Sequence, residues 1–395
     1  MATASDVQHE PEMQVDSETT TSAQTFRLGT RQSMLARVQT DEVVKELKKV
    51  WPDHKYEIHA MTTTGDNNQK TALHKFNEKA LWTQELEVLL QSGELDLIVH
   101  SLKDMPTQLP MDLELGCVTK RKDPRDAFVI KPTLADRYRS LSDLPEGSVV
   151  GTSSLRRIAQ LKKHYPHLKF ADVRGNIGTR LSKLDNRDSE YSAIILAAAG
   201  LLRLGMGNRI TTYLSKDNGG MLHAVGQGAL GIETRKDDNR VQELLSRIGC
   251  NRSTRQALAE RSLMRTLEGG CSVPIGVETE WIPRRNVLIE GSGVGVKPAE
   301  DYHNLTGIAT SSPENSASHL EGEEALTDEM VMRAVVVSLD GQEAAEVDTR
   351  KIVSTVEDAD QFGWEVAKLL VDKGADKILE GITLNRGIIH EQGDA

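Results

Sequence analysis

The sequence predicts two α/β domains with mainly parallel sheets, followed by a smaller α+β domain with an antiparallel sheet. Three observations carry this. A chain of 395 residues exceeds one ordinary core and divides into two or three domains. From Thr25 to Ala198, short apolar runs alternate with helical patterns, the signature of strands joined by crossover helices. Past Ala257 successive strands precede one closing helix, the order of an α+β unit.

Thr25–Gly29 reads as a strand. After Arg31-Gln32-Ser33 comes a helix with Leu35, Val38, Val43, Leu47 and Val50 on one side. Tyr56–Thr62 is a second strand, with His59 an ordinary member of it. Trp82–Leu90 is a short helix stopped near Gly93, and Leu95–Val99 is an apolar run suited to a strand buried on both faces. Ser148–Gly151 leads into a helix at Ser154–His164. Lys169–Val173 leads through Arg174-Gly175-Asn176 into a helix near Thr179–Leu184, and Ser192–Ala198 is another buried strand. A helix ending at Leu267 precedes the turn at Cys271. Strands are then expected at Ile275–Trp281, Asn286–Gly291, Ala334–Ser338 and Glu346–Val353, with a helix at Asp358–Lys373. Pro298–Glu329 is acidic, Ser-rich and weakly periodic, and reads as a surface insertion.

Composition excludes several classes. With 38% apolar residues and no apolar run of spanning length, the chain is expected to be soluble and off the membrane. A net charge of −11 argues against general nucleic-acid binding. The three cysteines, 117, 250 and 271, lack framework or metal-ligand spacing, so neither disulfides nor a metal site is expected and a reducing compartment fits. Residues 1–24 contain no Lys or Arg but carry Asp6, Glu10, Glu12, Asp16 and Glu18. That pattern fits neither a secretory signal nor a transit peptide, and predicts a disordered tail on a cytoplasmic protein.

The chemistry concentrates in a few strings. Cys271 follows Gly269-Gly270, whose lack of side chains lets a bulky group approach the sulfur; the bland alternative is a small apolar Cys in a turn. Asp104, in His100-Ser101-Leu102-Lys103-Asp104-Met105-Pro106-Thr107, follows a buried strand, where open α/β sheets bind ligands. A carboxylate there suits a general acid or a partner for a developing cation, although a lone Lys-Asp pair is more often a solvated turn. Arg31-Gln32-Ser33 and Thr152-Ser153-Ser154 precede helices, whose free N–H groups favour anions; for Ser153 and Ser154, simple capping explains the residues equally well. Arg156, Arg157, Arg174, Arg180 and Arg203 gather at the same kind of junction and predict a substrate with many carboxylates. Gly65 through Lys79 is polar and non-periodic, the pattern of a lid or an ordinary surface loop. Gly226-Gln227-Gly228-Ala229-Leu230-Gly231 opens no helix after a strand, so it is not a nucleotide site.

Taken together, HSLKDMPT, GTSSLRR (151–157) and LEGGCSVP (267–274) resemble the porphobilinogen deaminase (hydroxymethylbilane synthase) family, from about Thr25 to the C-terminus outside the 296–330 stretch. The resemblance implies a covalent dipyrromethane cofactor on Cys271, a catalytic role for Asp104, and porphobilinogen as substrate, four units being joined head to tail and released as hydroxymethylbilane. It implies that Arg31, Ser33, Ser101, Lys103, Ser153, Ser154, Arg156, Arg157, Arg180 and Arg203 line the cofactor and substrate cleft, with Arg174 and Gln227 in matching motifs. It also implies two domains of the periplasmic-binding-protein type II kind, at 25–121 plus 226–248 and at 122–225, with a third at 249–395 bearing the cofactor. The expected state is a monomer without nucleic-acid or membrane partners. Trp82 and Asn77 depart from residues common in the family (Phe and a lid glycine). The rival reading is a non-enzymatic two-domain protein that binds carboxylate ligands; a recruited, inactive homologue is a third.

Overall fold

The computed structural model describes residues 23–63, 83–267, 273–284 and 326–382. The acidic tail, the 65–79 stretch with Asn77, Trp82, Cys271, the strand expected at Asn286–Gly291 and most of the acidic insertion lie outside the described residues.

Three sheets organise the chain. The first contains β1 (Thr25–Arg31), β2 (Lys55–Met61), β3 (Leu97–Ser101), β4 (Leu113–Val118) and β10 (Leu230–Arg235), in the order β2-β1-β3-β10-β4. The second contains β5 (Asp126–Ile130), β6 (Val149–Gly151), β7 (Lys169–Ala171), β8 (Tyr191–Ala197) and β9 (Thr212–Leu214), in the order β7-β6-β8-β5-β9. The third is an antiparallel meander of β11 (Ile275–Pro283), β12 (Leu326–Val337) and β13 (Ala344–Ile352). The first two share one topology, the two-lobed arrangement of type II periplasmic binding proteins, and the third is a separate α+β unit.

Alternating side chains place Phe26, Leu28, Leu97 and Val99 on one face of the first sheet. They pack there on Val43, Val44 and Leu47 of α1 (Met34–Val50) and on Val241, Leu244 and Leu245 of α6 (Asn239–Ser246). Ile98 on the opposite face meets Leu86 and Leu90 of α2 (Gln84–Gln91). The second sheet is covered likewise by α3 (Leu155–His164) on one face, and by α4 (Ile177–Asp185) and α5 (Ala198–Arg203) on the other. In the third unit, α7 (Asn251–Thr266) and α8 (Val356–Asp372) pack tightly at Gly363, where any Cβ would collide with the Ala259 carbonyl. Phe362, Val366 and Leu370 of α8 join Leu263, Val277 and Val336 in this core.

Each α/β sheet is mainly parallel, as expected, with one antiparallel strand from the segment that crosses between lobes, β5 in the second and β10 in the first. Two other expectations are corrected. In α1 the buried side includes Gln39 and Thr40, whereas Leu35 and Val38 are only partly covered. Leu326–Glu329, assigned to the insertion, begins β12.

The crossovers, residues 119–125 and 215–229, are hydrogen-bonded to each other. Thr119 N donates to Leu230 O (3.2 Å), Lys122 N to Gly228 O (3.2 Å) and Arg121 Nε to Gln227 O (2.9 Å). Gly228 holds φ at +86°, and a Cβ there would run into the Lys122 carbonyl. Arg121, 1% exposed, pairs bidentately with Glu260 of α7 at 2.6 and 3.1 Å. Glu260 also accepts from Gly226 N (2.8 Å) and from Thr279 Oγ1 of β11 (2.6 Å). One buried carboxylate therefore joins both crossovers to the third unit. Burial pushes its pKa up, but Arg121, His223 and the hydrogen bonds outweigh that and hold it below the usual range.

Arg121→Met leaves Glu260 charged and unpaired in the interior, and is expected to cost about 3–5 kcal/mol of unfolding free energy in denaturant titrations. Adding Glu260→Gln, which removes the orphan charge, is expected to recover part of that loss.

Candidate active site

Parallel neighbours end at the same edge of a sheet, so β1 and β3 deliver their carboxyl ends side by side. Arg31 ends β1, Ser33 caps α1 by accepting from Ala36 N (3.3 Å), and Ser101 ends β3. Ser101 Oγ bonds the Gln39 side chain, with Gln39 Nε2 at 2.8 Å. Directly after β3 a single 3-10 turn, Leu102–Asp104, lifts Asp104 to an exposed position. Arg31, Ser33, Gln39, His100, Ser101 and Asp104 line one pocket at this edge.

The second lobe presents its own strand ends. After β6, Ser153 Oγ donates to Val173 O (2.8 Å), while Ser154 occupies the N-cap position of α3 without a side-chain cap bond. Capping therefore accounts for neither hydroxyl. Arg156 and Arg157, in the first turn of α3, turn inward to Asp126, at 2.8 and 2.7 Å. Asp126 is fully buried and also accepts from Gln227 Nε2 (2.9 Å). Burial raises its pKa, but the two guanidiniums overwhelm that effect and hold it far below the carboxylate range. Arg180, on α4, donates to Gly175 O (2.7 Å); desolvation first, then Arg157, lowers its pKa to about 10, with Asp104 opposing.

Lys103 joins the lobes electrostatically. Desolvation lowers its pKa, with Asp104 and Asp126 opposing and Arg157 and Arg156 reinforcing. Among the described residues, Lys103, Arg156, Arg157, Arg174 and Arg180 thus act on one another across the cleft with the carboxylates Asp104, Asp126 and Asp172, and the cations are in excess. The excess positive charge suits a ligand carrying several carboxylates.

Other anticipated residues stand apart from the pocket. Arg203 is a tie between lobes: Nε meets Glu42 Oε2 of α1 at 3.0 Å and Nη2 donates to Gly228 O (3.1 Å). Gln227 is buried in the return crossover, bonded to Pro124 O (2.7 Å) and Asp126. Arg174 lies 4.0 Å from Asp172. Cys271 is outside the described residues, but both flanks of its segment are placed. Arg261 of α7 donates to Met105 O (3.2 Å) and Pro106 O (2.5 Å), next to Asp104. Gly276 of β11 is so close to α3 that a Cβ there would sit 2.6 Å from Gln160 Nε2. The chain before Cys271 is thus tied to the first lobe and the chain after it packs on the second.

Sequence reading missed Asp126, Gln39 and Glu42. An acid opening the apolar run Ala127–Ile130, and a polar residue on the buried side of α1, were the available signals. Among the described residues, no group of His, Cys, Asp and Glu is arranged to hold a metal ion, and no helix is long and apolar enough to cross a membrane.

Fold and site define a two-lobed α/β scaffold with a cationic cleft, an exposed carboxylate at a strand end, and a third unit docked across it. The model for the porphobilinogen deaminase dipyrromethane cofactor binding domain matches residues 26–243, and that for the C-terminal domain matches 254–302. A protein of Yarrowia lipolytica named porphobilinogen deaminase is 47% identical over 362 residues, covering 90% of this chain and 93% of its own. One of the same name from Saccharomyces cerevisiae is 44% identical over 368 residues, covering 92% and 98%. Another, from Synechococcus elongatus, is 53% identical over 257 residues, covering 65% and 78%. The chain belongs to the porphobilinogen deaminase family.

Asp126 carries a pH prediction. Its pKa is depressed from the ordinary 3.8, so its stabilisation is complete above that value and is lost as pH falls toward the folded-state pKa. The unfolding free energy should therefore drop below about pH 4. Asp126→Asn should start about 3–5 kcal/mol lower at neutral pH and show a flatter acid limb, measured by denaturant titration across pH.

Proposed function

We propose that this protein deaminates porphobilinogen, joins four molecules head to tail, and releases the linear tetrapyrrole hydroxymethylbilane by hydrolysis. The observation that carries this is the exposed Asp104 carboxylate just after β3, beside a cleft where Lys103 and the arginines 156, 157, 174 and 180 outnumber the carboxylates Asp104, Asp126 and Asp172. Porphobilinogen brings an acetate and a propionate per ring, so a growing chain needs such a surplus of positive charge.

The dipyrromethane group fits the residues present, because its acidic side chains match Lys103 and Arg180, backed by the Arg156–Arg157 pair. When bound, it supplies a fixed primer with a nucleophilic pyrrole carbon. Cys271 is our candidate for its anchor: a thiol forms a thioether, and the described segments before and after it contact the first and second lobes respectively. Arg31, Ser33, Ser101 and Gln39 would orient the incoming monomer at the pocket. Asp104 would stabilise positive charge on the aminomethyl carbon as ammonia departs. Lys103 would hold a carboxylate close to Asp104, and Ser153 and Ser154 offer hydroxyl donors at the opposite edge. Arg203 would act by holding the lobes through Glu42, and Gln227 by bracing Asp126; Arg174 would add charge at the rim.

We take the chain as three domains, 25–121 plus 226–248, 122–225, and 249–395, with the paired crossovers as the hinge that admits a lengthening product. The buried Cys117 thiol, outside any disulfide, favours a reducing, cytoplasmic setting, and we take the protein as a monomer. A carboxylate-binding protein without chemistry gives no reason for Asp104 beside the cations, and is the less favoured reading.

Intact mass of the denatured protein tests the anchor. The unaltered chain should carry an excess equal to two deaminated porphobilinogen units, located on Cys271 by fragmentation, and Cys271→Ser should carry none. Asp104→Ala should fold and load the adduct, yet turn over about 10²–10⁴-fold more slowly; a near-normal rate would remove Asp104 from the chemistry.

A further inference from the structure

Asp104 stands on a short support. The single 3-10 turn that presents it, Leu102–Asp104, has no side-chain cap, since the Ser101 hydroxyl is bonded to Gln39 instead. Its closing bond, from Met105 N to Leu102 O, is 3.2 Å long. Pro106, directly beyond, has no N–H to contribute. Among the described residues, no backbone N–H donates to Met105 O or Pro106 O. A turn held so lightly by its own backbone takes its position from what packs around it.

Two consecutive residues of α7, in the third unit, supply that packing. Arg261 donates through Nη1 to Met105 O (3.2 Å) and through Nη2 to Pro106 O (2.5 Å), the two carbonyls directly after Asp104. Glu260 accepts from Gly226 N (2.8 Å), and Gly226, with φ at +71°, lies against the turn. A Cβ there would come within 3.0 Å of Leu102 Cγ and 3.2 Å of Lys103 N. Leu102 and Met105, buried on either side of Lys103 and Asp104, share one apolar cluster with Ala257, about one helical turn before Arg261. One α7 residue therefore holds the crossover against the turn, and the next holds the carbonyls that follow it. Arg261 is 5% exposed; burial, then Arg265, lowers its pKa to about 10 with Glu233 opposing, so it stays a cation at neutral pH. Its planar fork grips two carbonyls in one fixed geometry, which a single ammonium does not reproduce.

We infer that Arg261 is a positioning residue for Asp104: by fixing the Met105 and Pro106 carbonyls it sets the direction in which the turn presents the carboxylate. The third unit then governs both ends of the chemistry, since α7 also runs toward Cys271. This rests on the porphobilinogen-joining reading above. A merely structural clamp would alter folding or adduct loading and leave the rate of loaded, folded protein unchanged. A positioning residue lowers that rate, because a displacement of about 1 Å at a reacting group costs up to about 10²-fold.

The test uses holoenzyme whose two-pyrrole adduct is verified by mass and whose fold is verified by circular dichroism. In Arg261→Met, kcat should fall about 10- to 10²-fold with KM little changed. Arg261→Lys keeps the charge but loses the fork; it should fall about 3- to 10-fold, and it carries the test if Arg261→Met fails to fold or load. The second arm repeats each change in an Asp104→Ala background, read by single turnover. There the added loss should be less than about 2-fold, because a residue acting through Asp104 has nothing left to position. A normal kcat in the loaded variants, or losses that multiply in the Asp104→Ala background, overturns the role of Arg261 and leaves the joining reaction intact. A near-normal rate in Asp104→Ala alone removes Asp104 from the chemistry and the role of Arg261 with it. An unaltered protein that never acquires an adduct or turns over porphobilinogen sinks the joining reaction instead.

Discussion

Asp126 is the carboxylate on which the cleft depends. It stands where the chain first enters the second sheet, is fully buried, and holds Arg156, Arg157 and Gln227 together. Two adjacent guanidiniums on the first turn of a helix repel each other, and so near the positive end of the helix dipole they gain nothing from it. A shared carboxylate in a low-dielectric interior makes that arrangement stable while cancelling only part of its charge. The remainder is felt at Lys103, on the opposite lobe. The same carboxylate anchors Gln227 of the return crossover, so the electrostatics of the site and the connection between lobes share one residue.

A second buried carboxylate, Glu260, does for the third unit what Asp126 does for the second lobe. It ties α7 and β11 to the crossovers through Arg121 and Gly226 N. The crossovers therefore carry the buried ties to the third unit, and the contacts farther out are more exposed. Glu42 reaches Lys122 at 2.7 Å and Arg203 at 3.0 Å, but is partly exposed; Lys216 and Asp348 pair across the second lobe and third unit at 2.5 Å, half in solvent. Exposed pairs contribute little and are screened by salt. Lobes joined through the crossovers and held only weakly at their rims suit a cleft that holds a ligand of changing length.

The pocket on the first lobe follows a different logic from the cationic wall opposite. Its polar groups come from strand ends and one helix start, positioned by a sheet packed on both faces, so little rearrangement is needed to present them. Asp104 is exposed there while His100 is drawn back against Glu233.

Local pattern made much of this legible from sequence. Apolar runs located β1, β3, β6 and β8, helical spacing located α1, α3 and α8, and the strings around Asp104, Arg156 and Cys271 pointed to a cation partner, a carboxylate-binding surface and an accessible thiol, because each signal lies within a few consecutive residues. The sequence alone left out whatever depends on distant segments meeting. β5 and β10 are short apolar runs whose antiparallel pairing comes from the opposite lobe's chain, which no periodicity records. The arginines were readable as a cluster. That Arg156 and Arg157 turn inward to Asp126, Arg203 to Glu42, and Gln227 to the crossover was decided by tertiary structure. A guanidinium reaches several ångströms, and its partner is set by which desolvated carboxylate the fold brings within that reach.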